Sequence, residues 1–338
     1  MRITRDQLIR LARENVQFRL QRDRRLVCIY LTGSLLLDEP LLGGTADIDL
    51  VFVHDSEPYA NREIARLSDE VHLDIAHFSQ TVFHQPRHLR VSPWIGPYLC
   101  YNPVVLHDSQ HWFEFTQASV CAQFNDPENV YQRVGHFAAT ARQTWMDLRF
   151  NNLTGETRRA LAYVEALEDA ANAVASFSGP PLTERRMLLH YPQRARAINR
   201  PGLAAGLVDM IMPETVSEDD WHNWQAGWNA ALTAAGKLEN APARLHPARK
   251  AYYTRGAGAL WGTDPASAVW LMLRTWTLAV HALDAAPELL EPWRAALRAL
   301  RLDVDSFESR LDLMDAYLDN VEESMEEFAQ KNGIDSNG

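Results

Sequence analysis

Apolar and polar positions alternate in two different rhythms along this chain. Near the start, Leu8, Leu11 and Ala12 form an apolar stripe behind Thr4 and Gln7, a capping-box pair, which predicts a helix closed by Arg24 and Arg25. RRLVCIYLTGS then reads as a buried strand running into a Gly-Ser turn. LLLDEPLLGGT is a loop broken by Pro40, Gly43 and Gly44. ADIDLVFVH and VHLDIAHF read as two further strands, residues 60–70 between them as helical, and NPVVLHD as a weaker strand near 102–108. Helix and strand therefore alternate up to about residue 110, an α+β or α/β pattern with a small mixed sheet.

Beyond that point the spacing is helical. PENVYQRVGHFAATARQTWMDLRF carries Pro127 in its first turn, a favoured place for proline. TRRALAYVEALEDAANAVASF stops at Ser178-Gly179-Pro180-Pro181, and further helices are expected near 181–190, 217–236, 264–284 and 288–301. The expected organisation is an α+β domain over residues 1–125, an all-α helical bundle over 126–302, and an acidic helix and tail over 303–338. In the last segment Phe307, Leu311, Met314, Leu318, Val321, Met325 and Phe328 form a heptad seam. The seam either packs on the chain's own bundle or docks a second copy or a partner.

Composition narrows the picture. The chain has 338 residues, 46% of them hydrophobic, enough for two ordinary cores. No apolar run approaches the roughly 18 residues that span a bilayer, and MRITRDQLIR lacks the apolar centre of a signal peptide. Cys28, Cys100 and Cys121 are odd in number and lack metal-type spacing, so reduced thiols and a cytoplasmic location are expected. The net charge of −11 is uneven. Residues 1–25 hold eight arginines against three acids, and residues 303–338 hold eleven acids against Arg310 and Lys331. Overall acidity argues against nonspecific binding to a long nucleic-acid backbone but leaves room for an RNA held by a local basic patch.

The chemistry concentrates in Gly33-Ser34, Asp47-Ile48-Asp49 and His72-Leu73-Asp74-Ile75. Side chains alternate across a strand, so Asp47 and Asp49 share a face while Ile48, Leu50 and Phe52 point into a core. Asp74, between Leu73 and Ile75, also lies opposite an apolar face. If the strands pair, three carboxylates converge, and a hard divalent cation such as Mg2+ resolves their repulsion. Gly33 permits close approach of a phosphate, and a helix opened by Ser34 through LLLDE would add N–H donors.

This ordered set resembles the DNA polymerase β-type nucleotidyltransferase superfamily: a Gly-Ser pair after a strand, Asp-x-Asp on the next strand and a third Asp on a later one. The resemblance covers about residues 25–110. The two-domain layout is similar to that of small stand-alone members such as the aminoglycoside nucleotidyltransferases. The resemblance implies that residues 1–125 are catalytic and that residues 126–302 help bind acceptor and nucleotide. Asp47 and Asp49 would hold one Mg2+ on the triphosphate, Asp74 would share a second and take the acceptor's proton, and Gly33 and Ser34 would hold the β- and γ-phosphates. The donor would be a nucleoside triphosphate, ATP first, and the acceptor a hydroxyl on a small molecule. Transfer to a protein or tRNA, as in toxin–antitoxin enzymes, is the rival reading, and a nucleotide-binding module without turnover is a third. Related antibiotic-modifying enzymes draw a base from the helical domain. Glu165, with Glu168 and Asp169 beside it, is the candidate here, against an ordinary solvated acidic face.

Lys250 and Tyr253, in the basic stretch RLHPARKAYYTR, could grip the triphosphate and flank the base, or lie on a solvated helix. Trp221, Trp224 and Trp228 share one helical face, which favours core packing over a stacking platform. His77, His84 and His88 read as surface histidines. Arg185 to His190 and Arg274 to His281 both fit the loose Arg/His spacing of HEPN ribonucleases, and two matches in one chain show how little that spacing demands.

Overall fold

A computed structural model describes residues 3–37, 39–150, 152–284 and 286–335. The chain divides into two compact units, Met1–Asn129 and Val130–Gly338. The first is α+β with a five-stranded mixed sheet, and the second is helical.

The first unit begins with α1, Arg5–Leu20, where Thr4 and Gln7 form the expected reciprocal capping box. The strands are β1 (Leu26–Thr32), β2 (Ala46–His54), β3 (Arg62–Arg66), β4 (Val71–Ser79) and β5 (Val104–Asp108), ordered β3-β4-β2-β1-β5. β2 and β4 run parallel, and the other neighbours are antiparallel. Short helices α2 (Pro86–Val91), α3 (Ile95–Cys100) and α4 (Trp112–Cys121) complete the unit. The segment read as helical over 60–70 is instead the strand β3. Its five residues are exposed or half-buried and carry no apolar alternation. They become extended only by pairing with β4, a long-range interaction that local patterning does not encode.

Both faces of the sheet are covered, which explains the nearly continuous apolar runs of β1 and β2. On one face Ile48, Leu50, Phe52, Leu73 and Ile75 pack with Leu8, Ala12 and Val16 of α1. On the other Tyr30, Val51 and Val53 pack with Phe83, Leu89, Leu99, Phe113 and Phe124. Cys100 and Cys121, the last residues of α3 and α4, are joined as a disulfide with Cα atoms 5.5 Å apart. This corrects the expectation of three reduced thiols. Two helix ends separated by 21 residues meet in space, a proximity that spacing in sequence does not reveal. Cys28 is buried, and burial pushes its thiol upward in pKa, so it is an inert core group.

The second unit contains all but the first three residues of α5 (Pro127–Arg149), together with α6 (Glu156–Ser176), α7 (Met187–Ala197), α8 (Gly202–Ile211), α9 (Glu218–Ala235), α10 (Arg249–Trp261), α11 (Pro265–Ala282), α12 (Pro287–Ala299) and α13 (Phe307–Asn332). α6 and α11 bury most of their circumference and form its centre. Trp221, Trp224 and Trp228 are buried on one face of α9, with Trp228 donating to Thr275 Oγ1 at 3.0 Å. The heptad seam is also internal. Phe307, Leu311, Met314, Leu318 and Val321 are buried, and α13 packs on α6 and α8. Its acidic flank is met by arginines: Arg142 reaches Asp315, Asp319 and Glu322, Arg149 reaches Glu308 and Asp312, and Arg200 reaches Glu323 and Glu327. The acidic segment is thus part of the second unit, and these five seam residues pack within it, while Met325 and Phe328 are half-buried. No helix among the described residues is long and apolar enough to cross a membrane.

Candidate metal centre

The parallel pairing of β2 and β4 sets Asp49 directly opposite Asp74, and Asp47 opposite His72. Alternation then places all four side chains on one face. Asp47, Asp49 and Asp74 each offer an oxygen within 4.8 Å of the others, a spacing that fits shared coordination of a divalent cation. Asp47 is 7% exposed and Asp74 only 2%, while Asp49 is half-buried and opens toward solvent. Carboxylate oxygens are hard ligands, which suits Mg2+ better than a thiophilic metal.

Gly33 closes the site from β1. It follows Thr32, the register partner of Asp49, and adopts a left-handed φ of +78°. A Cβ added there would lie 1.9 Å from Asp49 Oδ2, so no other residue fits without displacing that carboxylate. Ser34 Oγ donates to Asp47 Oδ1 at 3.3 Å. The turn Gly33–Leu36 is a single 3-10 turn that ends at Leu37, which corrects the expectation of a helix through LLLDE and removes a helix N-terminus as a phosphate cradle. Asp38 of that stretch lies outside the described residues.

Sequence reasoning did not single out Arg62. On β3 it donates from Nε to Asp74 Oδ1 at 2.6 Å and from Nη2 to Asp74 Oδ2 at 2.7 Å. The pair is a two-pronged guanidinium–carboxylate contact on a carboxylate that is otherwise buried. Reading residues 60–70 as a helix hid this, because only a strand register puts Arg62 on the face of Asp74. The next residue, Glu63, projects to the opposite face, where it accepts from Arg19 Nη1 at 2.7 Å, also bonds Arg19 Nη2, and lies 3.7 Å from His77 Nε2. His77 also bonds His54 and is mostly buried, which corrects its reading as a surface histidine; His84 and His88 are exposed.

Gly33, Ser34, Asp47, Asp49 and Asp74 are therefore brought together within the first unit. The remaining candidates lie in the second unit, each engaged there. Glu165 accepts from Arg274 Nη2 at 3.3 Å and is about half exposed. Its neighbour Glu168 is buried and accepts from Arg274 Nε at 2.8 Å and from Arg244. The acidic face of α6, weighed as a solvated one, is thus largely buried in an ion network, and burial together with Glu168 and Glu165 pushes Asp169 up to about 7. Lys250 donates to Thr233 Oγ1 at 2.7 Å. Tyr253 is fully buried, donates to Glu184 Oε1 at 3.1 Å and accepts from Arg249. It has no ring face to offer a nucleobase, which corrects that assignment. Arg185 lies 3.7 Å from the Tyr252 ring centre, Arg274 bonds Glu165 and Glu168, and His281 bonds Thr157.

Neither a scan of family models nor a search of curated proteins finds a match to this chain.

Proposed function

We propose that the first unit is a polymerase β-type catalytic domain that transfers a nucleoside monophosphate from a nucleoside triphosphate to a hydroxyl, releasing pyrophosphate. The observation that carries this reading is the convergence of Asp47, Asp49 and Asp74 against the turn at Gly33. Bound Mg2+ would neutralise the triphosphate and lower the pKa of the attacking hydroxyl. Asp47 and Asp49 hold the cation side of the triphosphate. Asp74 orients the acceptor hydroxyl and takes its proton. Ser34 supplies a neutral donor beside Asp47, and Gly33 leaves room for the phosphates. Rate enhancement then comes mainly from positioning and charge neutralisation. A small cationic hydroxyl-bearing molecule of the aminoglycoside kind is the acceptor that suits a chain of net charge −11.

The test is incubation with each labelled triphosphate, MgCl2 and panels of antibiotics, tRNA and protein. Label should pass to one acceptor class in the wild type and to none in Asp49→Asn, with both proteins equally folded by circular dichroism. Undiminished transfer by Asp49→Asn would overturn the reading. A second reading draws on Arg62: its two bonds to Asp74 occupy the carboxylate that turnover needs. A nucleotide-binding module without transfer would bind triphosphate tightly and label no acceptor.

A further inference from the structure

Arg62 stands opposite Ala76 in the register of β3 and β4, on the sheet face that carries the three aspartates. Ala76 presents only a methyl group there, and the arginine stem runs past it diagonally to Asp74. The side chain of Asp74 is 1% exposed and that of Arg62 is 48% exposed. One end of the ion pair is thus fixed in the sheet, between the buried Leu73 and Ile75, while the other reaches solvent on an edge strand. Nε and Nη2 are spent on the two Asp74 oxygens, and the third guanidinium nitrogen, Nη1, bonds none of the described residues.

This contact conflicts with a metal at the same place. Asp47, Asp49 and Asp74 offer oxygens within 4.8 Å of one another, so a shared divalent cation brings a second positive charge onto a carboxylate that already carries a guanidinium. Two cations on one buried carboxylate repel each other. Arg62 is the group that yields, because its side chain is long and half exposed whereas Asp74 is held in the middle of its strand. What receives the guanidinium is set by the rest of the site. The turn at Gly33 ends at Leu37 and brings no helix N-terminus to a phosphate, so a charged donor has to come from a side chain. A guanidinium fork matches phosphate oxygens as it matches a carboxylate, and Arg62 already stands on the trio.

We propose that Arg62 is a triphosphate-binding residue, which exchanges Asp74 for a phosphate oxygen when the metal–nucleotide complex enters. The exchange places a positive charge on the phosphates and frees Asp74 for the acceptor hydroxyl in one movement. The proposal rests on the nucleotidyl-transfer reading of the aspartate site. It makes the two ligands cooperative: the cost of parting Arg62 from Asp74 is borne by the metal when it binds alone, and is offset by the phosphates when they bind with it.

The test is calorimetric titration of Mg2+ alone, and of Mg2+ with the α,β-methylene analogues of ATP, GTP, CTP and UTP, which cannot transfer their nucleotide. Arg62→Ala should bind Mg2+ alone several-fold more tightly than the wild type. It should bind the metal–analogue complex about tenfold more weakly, as loss of one charge-assisted hydrogen bond predicts. Arg62→Lys keeps the charge without the fork and should fall between the two. Arg13→Ala removes an equal charge from the exposed side of α1, on the opposite sheet face, and should bind both ligands as the wild type does. The Arg62 Nε–H resonance in 15N NMR should move with Mg2+ alone and take a different position with the complex. If Arg62→Ala does not fold, Arg62→Lys and this resonance carry the test. Intact Mg2+ binding with equal or tighter binding of the complex by the Arg62 variants overturns the role of Arg62 and leaves the transfer reading standing. An equal loss in Arg13→Ala traces the effect to net charge and overturns it as well. A wild type that binds no Mg2+, or Mg2+ but none of the analogues, overturns the transfer reading and this proposal with it.

Discussion

Arg62 on the edge strand and Asp74 on its neighbour share two hydrogen bonds of 2.6 and 2.7 Å, so the most buried of the three aspartates is neutralised by the protein itself. A cation at the cluster competes with that guanidinium for the same oxygens. Arg62→Ala should therefore lower metal-free stability by about 1–3 kcal/mol, because it removes the guanidinium that offsets the charge of a buried carboxylate. It should also tighten Mg2+ binding several-fold. Urea denaturation with and without MgCl2, and calorimetric Mg2+ titration, measure the two effects. A variant that binds Mg2+ more weakly than the wild type would show that Arg62 assists the cation.

Gly33→Ala probes the opposite wall. The left-handed backbone and the 1.9 Å approach to Asp49 act together against a methyl group. The expected cost is at least about 1–3 kcal/mol of stability. Any nucleotidyl transfer should fall at least tenfold even in molecules that remain folded, because Asp49 is pushed from its place. Labelling assays normalised to the folded fraction separate these contributions.

Acidity acts on this chain in two opposite directions. Burial holds His54, His190 and His246 below the ordinary histidine pKa, helped by His77 at His54 and by Arg186 and Arg194 at His190. As pH falls through about 6.5 the unfolded chain binds protons that the folded one refuses, so these groups reduce stability from there until the folded histidines also protonate. Asp169 behaves in reverse. Its folded pKa, about 7, stands above the unfolded one, so its favourable contribution is complete below the unfolded value and is lost as pH rises through 7. Asp169→Asn should raise stability at pH 8 by on the order of 1 kcal/mol and change it little at pH 4. Denaturation at the two pH values decides; an equal gain at both would mean that the carboxylate's ionisation is not the cause.

The bridge between Cys100 and Cys121 closes a loop of about 20 residues, for which chain entropy gives roughly 3 kcal/mol. Cys100→Ser, or reduction of the wild type, should lower the unfolding free energy of the first unit by about that amount. Identical urea midpoints with and without reductant would indicate that the two sulfurs are not bonded in solution.

Local chemistry in the amino-acid order was enough to locate much of this molecule. Thr4 and Gln7 cap α1 because their hydrogen bonds span only three residues. Asp47 and Asp49 share a face because side chains alternate along any strand, and the heptad seam of α13 is buried because its apolar residues fall on one side of a helix. Pairing in space decided the rest. Asp74 meets Asp49 only through the parallel register of β2 and β4, Arg62 reaches Asp74 only because an unpatterned segment joins the sheet edge, and Cys100 finds Cys121 only when two helices close on each other. The burial of Tyr253 and the partnership of His77 with His54 and Glu63 likewise depend on neighbours distant in the chain. Periodicity reports which side of an element turns inward, whereas the group that waits there is set by long-range contacts that carry no local signature.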